Sequence, residues 1–239
     1  MKRALLIALS AAAILRADFS YRETTRINNE KKAGSSTKIV KGNRMAAIEK
    51  SSIAVIDLDK ETITQIDLAR KTYYVLTFAQ MKQATAGPAP TVKVERAALV
   101  QATGKTKNIG VLPVKQTILT LTVEGQVAIT IDSWMATIPG YDEVRSFQRK
   151  LTEKLGYGFG SGIVLGQYRT EIGEQMSKID GAPLESTTRA VSPPNGETLA
   201  EAFTELSNFS SAPLDGSRFD VPPGFKQIQP DARLTGGAR

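Results

Sequence analysis

KQTILTLTVEGQVAITIDSWMAT (Lys115–Thr137) alternates apolar and polar residues twice, once on each side of a Glu124-Gly125-Gln126 turn. Thr117, Leu119, Leu121 and Val123 share one face of the first run, and Val127, Ile129 and Ile131 share one face of the second. Side chains alternate across a strand, whereas a helical period would scatter these positions around the axis. The stretch therefore predicts an antiparallel pair with one side buried.

The same reading extends outward. In Ser52–Leu68 an apolar run from Ile53 to Leu58 precedes the turn Asp59-Lys60-Glu61, and Ile63 and Ile66 return the chain as a hairpin. Lys71–Thr77 predicts another strand, which ends at Thr77 as the cap of a short helix, FAQMKQA, closed by Pro88 and Pro90. Asp18–Asn29 is rich in β formers, with Phe19 and Tyr21 on one face. Ile39–Met45 reads as an exposed strand kinked at Gly42, Val92–Ala102 as a strand, and Gly104–Gly110 as a loop. The best helix is Tyr141–Gly156, whose stripe is Tyr141, Val144, Gln148, Leu151 and Leu155, with Asp142 and Glu143 at its positive end. One such helix must pack its stripe on the sheet. Gly156–Gly166 is a glycine-dense loop, and 167–179 is a second helix of weaker pattern. Residues 180–197 read as loop with a strand near Leu184–Val191, and Thr198–Ser210 fits helix or strand equally. The fold class expected is mainly β (α+β): a curved antiparallel sheet, or incomplete β-barrel, with one or two covering helices.

The absent residue types exclude much chemistry. None of the 239 residues is histidine or cysteine. That rules out a Ser-His-Asp triad, a thiolate nucleophile, disulfides, iron–sulfur clusters and His- or Cys-ligated zinc. No cofactor is expected, no metal site, and no catalytic residue. The formal charge of +7 is spread thinly, with no run of five like charges and no basic stripe interleaved with aromatics, so nucleic acid is not expected as a partner.

Lys2 and Arg3 precede an apolar run from Ala4 to Leu15 broken only by Ser10, and small residues follow through Ala17. This is the layout of a secretory signal peptide, too short to cross a bilayer as a helix. We expect residues 1–17 to be a leader, with Ala11–Ala13 an alternative cleavage region, 18–228 to form one domain, and 229–239 to be a disordered tail. Without a cysteine, lipoprotein acylation is not expected. The leader carries Lys2, Arg3 and Arg16 and no acid, so cleavage after Ala17 leaves 28 basic against 24 acidic residues. The product is expected to be periplasmic or otherwise exported, soluble and without a transmembrane segment.

Three motifs carry a chemical suggestion and a plainer reading. Ala102–Thr106, ATGKT, ends like a phosphate-binding loop, but Leu99 stands where its first glycine belongs and no helix follows; a polar loop between strands is preferred. The glycines at 156, 158, 160, 162 and 166 miss dinucleotide spacing and follow a helix, which favours a mobile loop or lid within 156–197. Asp57, Asp59 and Glu61 lack a calcium loop's glycine and ligand number, and read as solvated hairpin carboxylates. Trp134 reads as a core or rim residue.

KIVKGNRM (Lys38–Met45), AVIDLDKETITQIDLARKTYYVLTFAQMKQ (Ala54–Gln83), TGKTKNIG (Thr103–Gly110) and LDGSRFDVPPGFKQI (Leu214–Ile228) together resemble a family of uncharacterised exported bacterial proteins. That family is related in fold to the periplasmic outer-membrane lipoprotein carriers (LolA-like). The resemblance covers residues 18–155 and 198–228, and the segment 156–197 departs from it. It implies a curved half-barrel whose concave apolar face is covered by helices or by an acyl chain. The expected function is accordingly non-enzymatic: binding of a lipid-like or apolar ligand on the sheet's apolar face, at Tyr74, Leu76, Leu119, Leu121, Val127, Ile129 and Ile131. The alternatives are an envelope module docking a protein partner without a ligand, and a carboxylate-dependent hydrolase.

Overall fold

The computed structural model describes residues 18–28, 30, 32–85, 95–155, 168–192 and 195–231. The expected leader at 1–17, the glycine-dense segment 156–166 and, of the expected tail 229–239, residues 232–239 lie outside the described residues. The strands are β1 (Phe19–Ile27), β2 (Gly34–Lys41), β3 (Arg44–Ile48), β4 (Ser52–Asp57), β5 (Thr62–Asp67), β6 (Thr72–Thr77), β7 (Arg96–Ile109), β8 (Leu112–Val123), β9 (Gln126–Ala136), β10 (Ala182–Val191), β11 (Thr198–Ser210) and β12 (Lys226–Gln227). The helices are α1 (Phe78–Thr85), α2 (Asp142–Leu155) and α3 (Arg169–Met176), and a 3₁₀ turn spans Gly216–Phe219.

All twelve strands form one sheet in the order β12-β6-β5-β4-β3-β2-β1-β11-β10-β9-β8-β7. It comprises two meanders joined at the middle, where β1 pairs antiparallel with β11. Every pairing is antiparallel except the short parallel contact of β12 with β6. The sheet stays open at β7 and β12, so the expected curved, unclosed antiparallel sheet is what the chain forms.

Several local expectations need correction. The kinked strand at Ile39–Met45 is a hairpin: β2 ends at Lys41, Gly42 takes φ 59°, and β3 starts at Arg44. The two-residue turn inverts the alternation, so that Val40 and Met45 share one face and Ile39 and Ala46 the other; both faces are buried rather than exposed, and without a polar face no period-two pattern marks the reversal. The segment expected as a loop, Gly104–Gly110, is largely the second half of β7. It pairs with β8 after a register shift between Ala102 and Thr106, where Gly104 adopts φ 77°. This edge strand is solvated on most of its length, so it carries little hydrophobic alternation to reveal it. Thr198–Ser210, ambiguous by sequence, is the strand β11.

Three packed clusters cover the two faces. Val144, Phe147, Leu151 and Leu155 of α2 cluster with Tyr21, Val40, Met45, Ile56 and Ile63 inside the curve. Ile172 of α3 joins Leu119, Leu121, Ala128, Ile129 and Ile131 of β8 and β9. On the opposite face of β2–β5, Ile39, Ala46, Val55 and Ile66 are covered by Phe219 and the surrounding C-terminal segment. Neighbours such as Ile39 and Val40, or Val55 and Ile56, are both buried because each face has its own cover. Among the described residues, no helix is long and apolar enough to cross a membrane.

Candidate functional site

The alternation of β1 places Tyr21, Glu23 and Thr25 on one face. Register then extends this face across the sheet: Lys38 lies opposite Tyr21, Leu206 opposite Glu23, Thr204 opposite Thr25, Ser186 opposite Thr204, and Ile131 opposite Thr188. α2 and α3 pass over this row without filling the space beneath them. A cavity of about 450 Å³ results, floored by these strands and roofed by Val144, Arg145, Gln148 and Thr152 of α2 and Ile172 and Met176 of α3. Its size falls within the range of about 300–1,000 Å³ of small-molecule sites.

The two ends of the cavity differ in chemistry. Under α3 the walls are Ile131, Ile172 and Met176, which belong to the apolar cluster there. Under α2 they are Tyr21, Glu23, Lys38, Tyr141, Arg145 and Gln148. Lys38 Nζ stands 3.3 Å from Glu23 Oε1, with both side chains largely buried. The floor carries hydroxyls that are already paired: Thr25 Oγ1 and Thr204 Oγ1 are 3.1 Å apart, and Ser186 Oγ is 2.9 Å from Ser133 Oγ. A side pocket of about 20 Å³ continues past Lys38 towards Ala47 and Ala54.

Tyr21 and Tyr141 close the polar end. Their rings meet edge-on, 6.0 Å between centroids, within an aromatic cluster that includes Phe19 and Phe209. Burial raises both phenols well above their ordinary pKa, and the nearby Glu23 carboxylate adds to the rise. Both therefore stay protonated donors at neutral pH. Neither hydroxyl has a hydrogen-bond partner among the described residues. Arg145 is held at the rim by Asp142 at 3.1 Å and Asp180 at 2.7 Å. Both carboxylates are at least 90% exposed, whereas the arginine side chain is only 22% exposed.

Of the seven residues expected to face a ligand, Ile131 alone lines this cavity. Leu119, Leu121 and Ile129 are on the same face, but they are sealed beneath α3 in its own cluster. Val127 leaves that face and is 43% exposed. A bulge between Leu121 and Thr122 sets Val127 opposite Thr122, and the extra residue, Ala128, takes the buried place. Tyr74 and Leu76 sit on β6, opposite Gln65 and Ile63, and do not line the cavity. The residues that line the polar end were not singled out by sequence. One signal was present: Gln148 is a polar residue inside the apolar stripe of α2.

The other candidate motifs have structural roles. ATGKT lies in edge strand β7 with no helix after it. Asp57 accepts from the backbone N–H groups of Asp59 and Lys60, Asp59 from Asn43 Nδ2, and Glu61 pairs with Lys154. Trp134 packs at the core margin under the Lys107 ammonium, 4.4 Å from its ring centre.

No protein-family model matches the chain, and neither does any curated protein. Among solved structures, a structure of PNGF-II matches with 13% identity and a TM-score of 0.39, over 92% of this chain. The chain spans 32% of the length of that structure. A protein domain from Vibrio parahaemolyticus described as outer membrane lipoprotein-sorting matches with 8% identity and a TM-score of 0.28, over 86% of this chain and 90% of its own. Likenesses this distant place no chemistry in the cavity.

Proposed function

We propose that this protein is a non-enzymatic binder of an apolar or lipid-like ligand, held in the cavity between the sheet and helices α2 and α3, and that it works as an exported protein of the bacterial envelope. The observation that carries the reading is the roofed cavity of about 450 Å³ with an apolar end under α3. Burying an apolar chain there is favoured by about 25 cal/mol per Å² removed from water. The leader-like N-terminus supports export, and the absence of histidine and cysteine from the sequence supports binding over catalysis.

The test is titration of delipidated protein with a fluorescent fatty-acid analogue. Saturable one-to-one uptake is expected, and Met176→Trp, which places a larger side chain in the apolar end, should reduce it at least tenfold. Non-saturating uptake, or uptake indifferent to Met176→Trp in a folded variant, overturns the reading.

A second reading rests on the outer edge of β7. Among the described residues this 14-residue strand pairs on one side only, and it exposes Leu99, so an envelope protein could add a strand to it. Pull-down with the intact protein from envelope extract should then return one stoichiometric partner that Leu99→Lys releases.

A further inference from the structure

The cavity contains more hydrogen-bond donors than an apolar ligand requires, and they gather at one end. Glu23 and Lys38 offset each other in charge within the wall, and the wall's remaining charged group is the Arg145 guanidinium. Its carboxylate partners, Asp142 and Asp180, lie outside in solvent. Ion pairs to carboxylates as exposed as these contribute little. Arg145 can therefore turn from them to an anion on its cavity side, where water is partly excluded and a charge-assisted, bidentate contact is stronger. Tyr21 and Tyr141 add two buried O–H donors without partners among the described residues. Buried donors without acceptors are costly, so an acceptor arriving in the cavity satisfies a need already built into the fold.

We propose that the ligand is a single-chain amphiphile with an anionic head, its carboxylate-like group received by Arg145 and by the hydroxyls of Tyr21 and Tyr141, and its apolar chain lying towards Ile131, Ile172 and Met176. This rests on the cavity-binding reading above and adds the chemical class of the ligand. The geometry gives the ligand a direction: head under α2, chain under α3. A cationic head meets Arg145 and Lys38 as like charges, and a neutral head offers the guanidinium no carboxylate in exchange for Asp142 and Asp180.

The experiment uses the full chain, delipidated, with a neutral fluorescent probe displaced by three ligands of equal chain length: hexadecanoate, hexadecanol and hexadecyltrimethylammonium. Hexadecanoate should bind about tenfold more tightly than hexadecanol, with the ammonium weakest. Arg145→Gln should bring the ratio of hexadecanoate to hexadecanol affinity close to one, while Arg145→Lys should retain part of it. Tyr21→Phe and Tyr141→Phe, which keep the aromatic packing, should each lower the ratio by a smaller factor. Equal displacement by the acid and the alcohol overturns the head-group assignment while leaving apolar binding in place. A preference for the acid that survives Arg145→Gln overturns it too. Failure of the protein to bind the neutral probe or any of the three overturns the cavity reading itself.

Discussion

Asp18, at the start of β1, ties the two ends of the described chain together. Its carboxylate accepts from Lys41 Nζ at 2.8 Å and from the backbone N–H of Leu214. Burial pushes its pKa up, but these two donors outweigh burial and hold it below the ordinary carboxylate value. A folded value lower than the unfolded one stabilises above the carboxylate range and ceases to do so as pH falls through it. Asp18→Asn should therefore cost roughly 1–3 kcal/mol near neutral pH. In urea titrations the gap between variant and parent should narrow as pH falls through the carboxylate range; a gap of the same size at neutral and acidic pH refutes the assignment. Gly181 is a second such position. Its φ is +93°, and a Cβ there would stand 2.6 Å from the Ala136 carbonyl oxygen. Gly181→Ala is expected to cost about 1–3 kcal/mol by denaturant midpoint. Neither role was legible in the sequence, because Asp18 depends on Lys41 and Leu214, 23 and 196 residues away, and Gly181 on Ala136 in another strand.

At the scale of elements, period and cap decided much. Thr77 and Gln80 form the reciprocal pair foreshadowed by the threonine before FAQMKQA: Thr77 Oγ1 accepts from Gln80 N–H, and Gln80 Oε1 accepts from Thr77 N–H. Thr77→Ala should lower stability by about 1 kcal/mol, read by thermal unfolding. The stripe of α2 was equally visible, and Leu151 at its centre is fully buried. Leu151→Ala should cost about 2–5 kcal/mol. A cost well below 1 kcal/mol would show that α2 does not pack as described. Elements whose signal depends on burial were harder to read. β7 lies at an edge with most residues exposed, and β11 separates weakly alternating faces, so neither carries the period that marked β8 and β9.

Across the whole molecule, the controlling feature is that the sheet is covered on both faces by segments distant in sequence. The C-terminal stretch from Leu214 to Phe225 seals the face of β2–β5 that α2 does not, with Phe219 buried beneath the Arg44 guanidinium at 4.9 Å. Phe219→Ala should therefore destabilise the fold by about 3–5 kcal/mol. Truncation before Leu214 should expose Ile39, Val55 and Ile66 together and yield protein that binds a hydrophobic dye or aggregates, as light scattering will show. A truncated chain that unfolds with the parent's midpoint refutes this arrangement.

Amino-acid order by itself determined the class: period-two alternation, turn residues and one amphipathic helix suffice for an antiparallel sheet with a helical cover, because these signals are local. It also excluded histidine and cysteine chemistry outright. Only the tertiary structure decided where β1 goes, since a strand's pairing edge is backbone and leaves no mark on side-chain pattern. Once β1 sits beside β11, Tyr21, Glu23 and Thr25 are brought under Arg145 and beside Thr204 and Leu206, and the apolar face expected as a binding surface becomes core under α3. The cavity is what the helices leave uncovered, a property of packing between distant segments.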